Sequence, residues 1–406
     1  MSAEAAPRPA TALPVIVQIG VEMIPVAVGG ALFVWALVAD AAWFDRHFLP
    51  LFSLSRPEFL QRETLGRIVV GLLGLGMALT LRPLVGKLVT RTPPGELLAG
   101  TVRIALAVGL ALIVTEPFLR DPVRSATEAA LPGQEPLRRT DPRLGWTFAP
   151  DRVVRLKFGS RSIPYAFDKT GARVESLDRP IDPTLPSILF TGESIVGGFG
   201  LTWDEAIPAQ TGRMLGLQSA DLSVFAYSND QAYLRLADAL PRFKRPVAVV
   251  SLFMPNLIFR NLNTDRPYVG PDLVWRPAQP RWRLAALALY VVPYRTTAQI
   301  ERGVARTRAV LQATARLACA RGARPLVLVP ELGDEDVAEA RLRHAVLDQS
   351  GLDYVRVRVD PAWRVPGDRH PDARAARVMA AAIAARLKAP PVQACELTRT
   401  GGRPML

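Results

Sequence analysis

The chain has 406 residues, which is long enough for more than one domain. Its formal net charge is +13, but only five of its 50 basic residues are lysine, and the arginines are scattered and do not form a run interleaved with aromatic side chains. This pattern argues against a nucleic-acid partner. The two cysteines do not make a disulfide framework, because Cys319 lies in an Ala-rich helical stretch, where we expect it in the core, and Cys395 lies in a polar tail.

Three apolar runs lie within the first 120 residues. The run from Val15 to Phe44 has a centre, Ile24 to Ala39, that carries no charge, and it is long enough to cross a bilayer. The runs from Ile68 to Leu81 and from Ile104 to Thr115 have 14 and 12 residues. They are short for a hydrocarbon layer of roughly 30 Å, although arginines at the ends of a run can snorkel and lengthen the effective span.

These runs define a predicted transmembrane region at residues 13–120, which follows a tail of residues 1–12. We predict three membrane-spanning helices, with a buried or re-entrant pair as the alternative for the two short runs. A cleavable signal peptide is disfavoured, because the first run is long and only Arg8 precedes it as a basic residue. One span or three spans both place the N-terminus and the C-terminal domain on opposite sides. The basic residues divide five against six between the two sides, so their charge does not choose an orientation.

Residues 121–182 are predicted to link the membrane region to the next domain. They contain the stretches TDPRLGWTFAPD and YAFDKTGARV, which we interpret as a segment that pairs with an edge of that domain. Five prolines break any long helix in this link: Pro122, Pro132, Pro136, Pro142 and Pro150.

Residues 183–390 alternate between strand-like and helical patterns, and residues 391–406 form a C-terminal tail. The alternation predicts an α/β fold with a doubly wound parallel sheet of about five strands. The predicted strands are 187–191, 222–225, 247–253, 325–329 and 354–357, and the predicted helices are 204–217, 230–243, 296–321, 334–349 and 371–388. The apolar run from Leu284 to Val292 is too short to span a membrane, so we expect it to form a core or lid helix.

A serine follows the first strand of this sheet, in the stretch FTGESIVGG. Ligand sites in such sheets gather at the carboxyl ends of the strands, but Ser194 needs a base to become nucleophilic. His370 lies near the end of the last strand, in GDRHPD, and Asp368 precedes it by two residues and can orient its ring. The other two histidines compete poorly, because His47 lies beside the membrane region and His344 lies in a charged helix. The sequence thus predicts a nucleophile, a base and an orienting carboxylate.

Each of these stretches also has a structural interpretation. GDRHPD can be a capped helix start with Pro371 in the first turn, and a serine in a glycine-rich turn can be purely structural. Their placement on the first and last strands of one sheet favours catalysis. The α/β-hydrolase elbow G-x-S-x-G is rejected, because Val196 replaces the second glycine and the nucleophile of that fold lies mid-sheet.

The stretches together resemble the SGNH (GDSL-type) hydrolase superfamily. Gly192-Glu193-Ser194 resembles its first block, with Glu in place of Asp, and PNLIFRN resembles its Asn block and points to Asn256. The resemblance implies an oxyanion hole formed by the Ser194 amide, the Asn256 side chain and an amide near Ala226, or less certainly Ser228, where the family has glycine. The Asp-x-His spacing resembles the alginate O-acetylation branch.

The resemblance implies a serine esterase or O-acyltransferase that acts on acyl esters, with envelope carbohydrate as the expected substrate. No metal-binding cluster or phosphate-binding loop is apparent in the sequence, so we expect no metal and no cofactor. The expected location is a bacterial inner membrane, with the lipid bilayer as a partner and the hydrolase-like domain periplasmic or extracellular. Two alternatives stay open. One is a catalytically silent domain that binds glycan or envelope-assembly partners, and the other is a membrane protein whose function lies in its helices.

Overall fold

The computed structural model describes residues 15–48, 56–119, 137–279 and 282–390, and also Cys395. The predicted tail of residues 1–12 and most of the predicted C-terminal tail lie outside the described residues, as does the start of the predicted link. The chain divides into two compact units. Among the described residues, the first unit comprises 15–46, 56–119 and 282–292, and the second comprises the others.

The first unit is helical and contains three stretches that are long and apolar enough to cross a membrane: Val15–Val38, Arg56–Arg91 and Pro94–Glu116. The two short apolar runs are therefore the centres of longer helices, which begin or end in charged residues. Its elements are α1 (Val15–Val38), α2 (Ala41–His47), α3 (Arg56–Gly76), a π-helical turn (Met77–Leu81), α4 (Arg82–Arg91), α5 (Pro94–Leu119) and, from far along the chain, α9 (Arg283–Val291).

Two glycines allow α1 and α3 to pack closely. A Cβ atom at Gly29 would collide with the backbone of Gly74, and one at Gly74 would lie 2.9 Å from the backbone of Phe33. Glycine at such positions lets two helix backbones approach each other, which is the usual packing of helices in membranes.

The second unit is built on an eight-stranded sheet in the order β12-β11-β8-β6-β7-β5-β4-β3. The first five strands in this order are parallel, which confirms the predicted parallel sheet of about five strands. The strands are β1 (Arg138–Asp141), β2 (Gly145–Phe148), β3 (Arg152–Phe158), β4 (Arg161–Phe167), β5 (Arg173–Val174), β6 (Pro186–Phe190), β7 (Gln218–Asp221), β8 (Arg245–Leu252), β9 (Tyr268–Val269), β10 (Trp275–Arg276), β11 (Arg324–Glu331) and β12 (Tyr354–Arg358).

The helices of the second unit pack on the faces of this sheet and close its core. The core is apolar and includes the whole of the central strand after its first two residues, with Ile188, Leu189 and Phe190 fully buried. The helices are α6 (Ile207–Leu215), α7 (Asn229–Ala239), α8 (Pro255–Asn261), α10 (Thr297–Ala320), α11 (Val337–Val346) and α12 (Ala373–Lys388).

The predicted link contributes three strands to the sheet. β3, β4 and β5 are antiparallel and join the edge at β7 through the pair Arg173 and Asp221. The expected pairing of this segment with an edge of the domain is thus present. The second predicted strand is misplaced, because β7 is the polar stretch Gln218–Asp221, whereas residues 222–225 form the loop after it. Those residues are apolar because the loop is buried.

The structure differs from the sequence analysis in two further places. Cys319 and Cys395 form a disulfide, with sulfur atoms 2.09 Å apart, although the sequence suggested no pairing. The two cysteines are 76 residues apart in the sequence, so no local sequence pattern marks them as partners. The run from Leu284 to Val292 forms α9 but does not enter the core of the domain. Its residue Leu287 is 48% exposed, and α9 belongs to the first unit.

Candidate active site

Ser194 lies in a tight turn that begins directly after the central strand β6. The turn is closed by backbone hydrogen bonds from Gly197 to Glu193 and from Phe199 to Ser194, both 2.9 Å long. Because β6 is flanked by parallel strands, the turn lies at the carboxyl edge of the sheet, where reactive groups of doubly wound folds collect. Ser194 is only 6% exposed.

A buried guanidinium binds the carbonyl oxygens of this turn. Arg173 is 1% exposed, and its Nη1 donates to the carbonyl oxygens of Gly197 at 2.5 Å and Gly198 at 3.1 Å, while Nη2 donates to that of Leu201 at 2.7 Å. The guanidinium lies 4.4 Å from the centre of the Tyr165 ring. The two strands that carry these side chains, β4 and β5, therefore fix the serine turn as well as extending the sheet.

Tyr165 adds a second tie to the same turn. Its hydroxyl accepts a hydrogen bond from the Gly200 amide at 2.7 Å and donates to the Gly198 carbonyl at 3.2 Å. Gly198 and Gly200 have φ values of +65° and +82°, in the left-handed region that favours glycine. The glycines let the chain turn sharply enough for both ties to form.

The three residues predicted to act together lie in one chain of hydrogen bonds. The Nε2 atom of His370 is 2.8 Å from Ser194 Oγ, and its Nδ1 atom is 2.5 Å from Asp368 Oδ1. When Nδ1 carries its proton toward the carboxylate, the lone pair of Nε2 can accept the serine proton. The arrangement can therefore move a proton from the serine hydroxyl to the imidazole.

The conformation of the loop before α12 lets Asp368 reach the ring of His370, although only one residue lies between them. Its ends meet at an isolated bridge between Arg364 and Pro371, and Gly367 has a φ of +75°. Asp368 Oδ1 accepts the backbone N–H of His370 at 2.8 Å as well as the ring. The hydrogen bond from the His370 ring is the largest cause that lowers the pKa of Asp368, so this carboxylate is ionised at neutral pH.

Glu193 also reaches the serine. Its Oε2 accepts from Ser194 Oγ at 2.5 Å, and Oε2 also lies 3.1 Å from Nη1 of Arg260. Burial by itself raises the pKa of Glu193, but several opposing effects, of which the charge of Arg260 is the largest, bring it below its ordinary value. The serine hydroxyl has one proton, so Glu193 competes with His370 for it. Arg260 weakens this competition, because its ion pair with the carboxylate lowers the proton affinity of Glu193.

Arg260 joins two loops of the site. Besides Glu193, its Nη1 donates to the carbonyl oxygen of Tyr227 at 3.1 Å, in the loop after β7. Arg260 lies four residues after Asn256 in α8, so the two side chains share a helix face. Asn256 is half-buried in the first turn of α8, whereas Asn261, at the other end of that helix, is fully buried and donates to Thr307 at 2.7 Å. Asn261 is thus structural.

The backbone amides of Ala226 and Ser228 differ in whether they already have a hydrogen-bond partner. The Ser228 amide donates to Gln231 Oε1 at 3.2 Å in the capping box of α7, so it is not free for a ligand. Within the described part of the chain, the amides of Ser194 and Ala226 have no hydrogen-bond partner. Ala226 has a φ of +65°, a conformation that favours glycine. The Ala226 amide can therefore bind another acceptor, whereas the Ser228 amide is engaged in the helix cap.

The other two histidines lie in different surroundings. His344 in α11 pairs with Asp348 at 2.9 Å and its side chain is 61% exposed. His47 stacks on Tyr294, with ring centres 5.0 Å apart. Both histidines therefore have partners other than Ser194.

No protein-family model and no curated protein matches the chain. Several solved esterases resemble half of it. They include a protein assigned as an arylesterase from Agrobacterium tumefaciens (16% identity, TM-score 0.32, covering 50% of this chain and 98% of that one). An acetyl xylan esterase, Est2A, from Butyrivibrio proteoclasticus has 9% identity, a TM-score of 0.33 and coverages of 52% and 65%. A carbohydrate acetylesterase, Est24, from Sinorhizobium meliloti has 14% identity, a TM-score of 0.31 and coverages of 50% and 98%.

The positive φ of Ala226 gives a stability prediction. A left-handed conformation costs an L-residue roughly 1–2 kcal/mol, which offsets the greater freedom of glycine in the unfolded chain. We expect Ala226→Gly to leave the free energy of unfolding unchanged or to raise it by up to about 1 kcal/mol. The measurement is urea unfolding of the detergent-solubilised chain, followed by tryptophan fluorescence.

The matched control is Ala237→Gly, inside α7, which should lower the free energy of unfolding by about 1 kcal/mol. If Ala226→Gly destabilises the protein as much as the control does, the assignment of a strained conformation to position 226 is wrong.

Proposed function

We propose that the chain is a membrane-anchored serine esterase of the SGNH type, with Ser194 as nucleophile, His370 as general base and Asp368 as the carboxylate that orients the base. The observation that carries the proposal is the hydrogen-bonded chain from Ser194 Oγ through the His370 ring to Asp368, at 2.8 and 2.5 Å. An isolated hydroxyl is a weak nucleophile, and this geometry supplies the base that it needs.

The reaction begins when Ser194 Oγ attacks the carbonyl carbon of an ester and His370 Nε2 takes its proton. The tetrahedral oxyanion is bound by the amides of Ser194 and Ala226 and by the side-chain amide of Asn256. Losing one donor of this kind typically costs about 2.7–4 kcal/mol of transition-state stabilisation. The intermediate collapses, His370 returns the proton to the leaving alcohol, and the acyl group stays on the serine.

Water completes the cycle. His370 removes a proton from water as it attacks the acyl-enzyme, and the acyl group leaves as a carboxylic acid while the proton returns to Ser194. A sugar hydroxyl in place of water would transfer the acyl group to that sugar. We propose acyl esters of envelope carbohydrate as the substrate class, on the basis of the resemblance to membrane-anchored members of the SGNH superfamily.

A second candidate is a catalytically silent domain that binds glycan or envelope partners. The contact that favours it is the 2.5 Å hydrogen bond between Ser194 and Glu193, since a serine that gives its proton to a carboxylate is not activated by His370. The ion pair of Glu193 with Arg260 favours the esterase, because it lowers the proton affinity of that carboxylate.

We propose that the three candidate spans cross an inner membrane and that the second unit lies outside the cytoplasm. An odd number of crossings places the N-terminus and the second unit on opposite sides. The disulfide between Cys319 and Cys395 supports an extracytoplasmic second unit, because disulfides persist in oxidising compartments and are rare in the cytosol. This argument is independent of the charge count, which favours neither side.

Replacing the proposed base tests the mechanism. His370→Gln should lower kcat/KM for a small acetyl ester by about 10⁴-fold or more, because the triad acts as a unit. His344→Gln is the matched control and should leave kcat/KM within about twofold, since that side chain is exposed and pairs with Asp348 rather than with Ser194. Equal losses in the two variants would mean that His370 is not the base.

A fusion after Leu406 tests the topology. Alkaline phosphatase folds actively only in an oxidising compartment, so we expect an active phosphatase at this position and a non-fluorescent cytoplasmic reporter. A silent phosphatase together with a fluorescent reporter at the same position would place the second unit in the cytoplasm.

A further inference from the structure

Helix α9 groups with the first unit, although the chain on both sides of it belongs to the second. Its sequence is RLAALALYV, with one charged residue, Arg283, at the first position. Two apolar residues in and after this helix are exposed, with Leu287 at 48% and Val292 at 55%. Exposed apolar side chains such as these need another environment to bury them.

Both ends of the α9 segment are fixed to residues at the ends of other helices. The Leu284 amide donates to Glu116 Oε2 at 3.1 Å, and Glu116 is the last residue of the third candidate span. On the other side, the Arg295 amide donates to the His47 carbonyl at 2.8 Å, and His47 ends α2, the short helix after the first span. If three spans cross the membrane, the ends of the first and third emerge on the same face.

Aromatic side chains flank the α9 segment. Trp282 precedes it and is 57% exposed, and Tyr294 follows it and is 37% exposed. Trp and Tyr are enriched where a membrane meets water, because their rings have an apolar body and a polar tip. The nine residues of α9 extend about 14 Å, which is too short to cross a hydrocarbon layer of roughly 30 Å.

We propose that α9 lies in the interfacial layer of the lipid bilayer, on the face where α1 and α5 end, as a lipid contact that does not span. Lipid fits this position because α9 is almost free of charge, is bounded by interfacial aromatic residues and belongs to the unit of the spanning helices. The inference rests on the membrane anchoring in the proposed function. Because the chain enters and leaves α9 from the second unit, this contact is a lipid tether separate from the three spans.

The test uses the full chain in lipid nanodiscs, with an environment-sensitive fluorophore on single introduced cysteines. The only native cysteines are joined in the disulfide, so a maleimide reagent labels the new position. Leu287→Cys reports on α9, Leu110→Cys lies in the middle of α5 as a reference for the bilayer interior, and Val337→Cys, 86% exposed in α11, is the aqueous reference.

The Leu287 probe should show a blue-shifted emission relative to the Val337 probe, lower quenching by iodide, and stronger quenching by nitroxides near the lipid headgroups than by nitroxides at the chain ends. The Leu110 probe should show the opposite nitroxide preference. If the Leu287 probe is quenched by iodide as strongly as the Val337 probe, or is shielded from iodide and nitroxides alike, α9 is in water or covered by protein, and the inference is wrong.

Two controls separate this inference from the proposed function. If the Leu110 probe is open to iodide, the membrane anchoring itself is wrong, whereas a shielded Leu110 probe with an open Leu287 probe removes only the interfacial helix. Labelling of Ser194 by a fluorophosphonate in the Leu287→Cys variant reports on the esterase site independently. If Leu287→Cys fails to fold, Val292→Cys, at the other end of the apolar segment, gives the same measurement.

Discussion

The geometry of the candidate site depends on one buried charge, the guanidinium of Arg173. Three carbonyl oxygens of the serine turn point into the protein, where unpaired carbonyls would be costly, and Arg173 donates to all three. Burial lowers the pKa of Arg173, and the cation is retained through these bonds and through Tyr165 and Asp221. The strands that carry Arg173 and Tyr165 come from the link, so this link is part of the site.

The remaining geometry is set at the carboxyl edge of the sheet by three loops. The loop after β6 carries Ser194, the loop before α12 carries His370, and the loop after β7 carries Ala226, whose amide has no hydrogen-bond partner among the described residues. Arg260 ties the first two loops through Glu193 and Tyr227. In the third loop, Asp368 accepts hydrogen bonds from both the ring and the backbone N–H of His370. The serine turn and the imidazole are thus each positioned by hydrogen bonds to neighbouring residues.

The sequence predicted those parts of the structure that have a local signal. Runs such as VAVVSLF indicated buried strands, and the scarcity of histidine singled out His370, whose ring lies within hydrogen-bond distance of Ser194. β7 was missed because Gln218–Asp221 is polar while the loop after it is apolar. Arg173 and Arg260 were missed because their partners are 24 and 67 residues away, and the disulfide was missed for the same reason. The assignment of α9 to the core of the domain failed because an apolar run by itself does not show what surrounds it.

The central claim is that Ser194 is a nucleophile activated by His370, and covalent trapping tests it most directly. The detergent-solubilised chain would be treated with a fluorophosphonate and digested, and the modified residue would be located by mass spectrometry. The account predicts a single adduct on Ser194, absent in Ser194→Ala and strongly slowed in His370→Gln. An unmodified Ser194 in a protein whose second unit is folded would contradict it and would favour the silent glycan-binding domain.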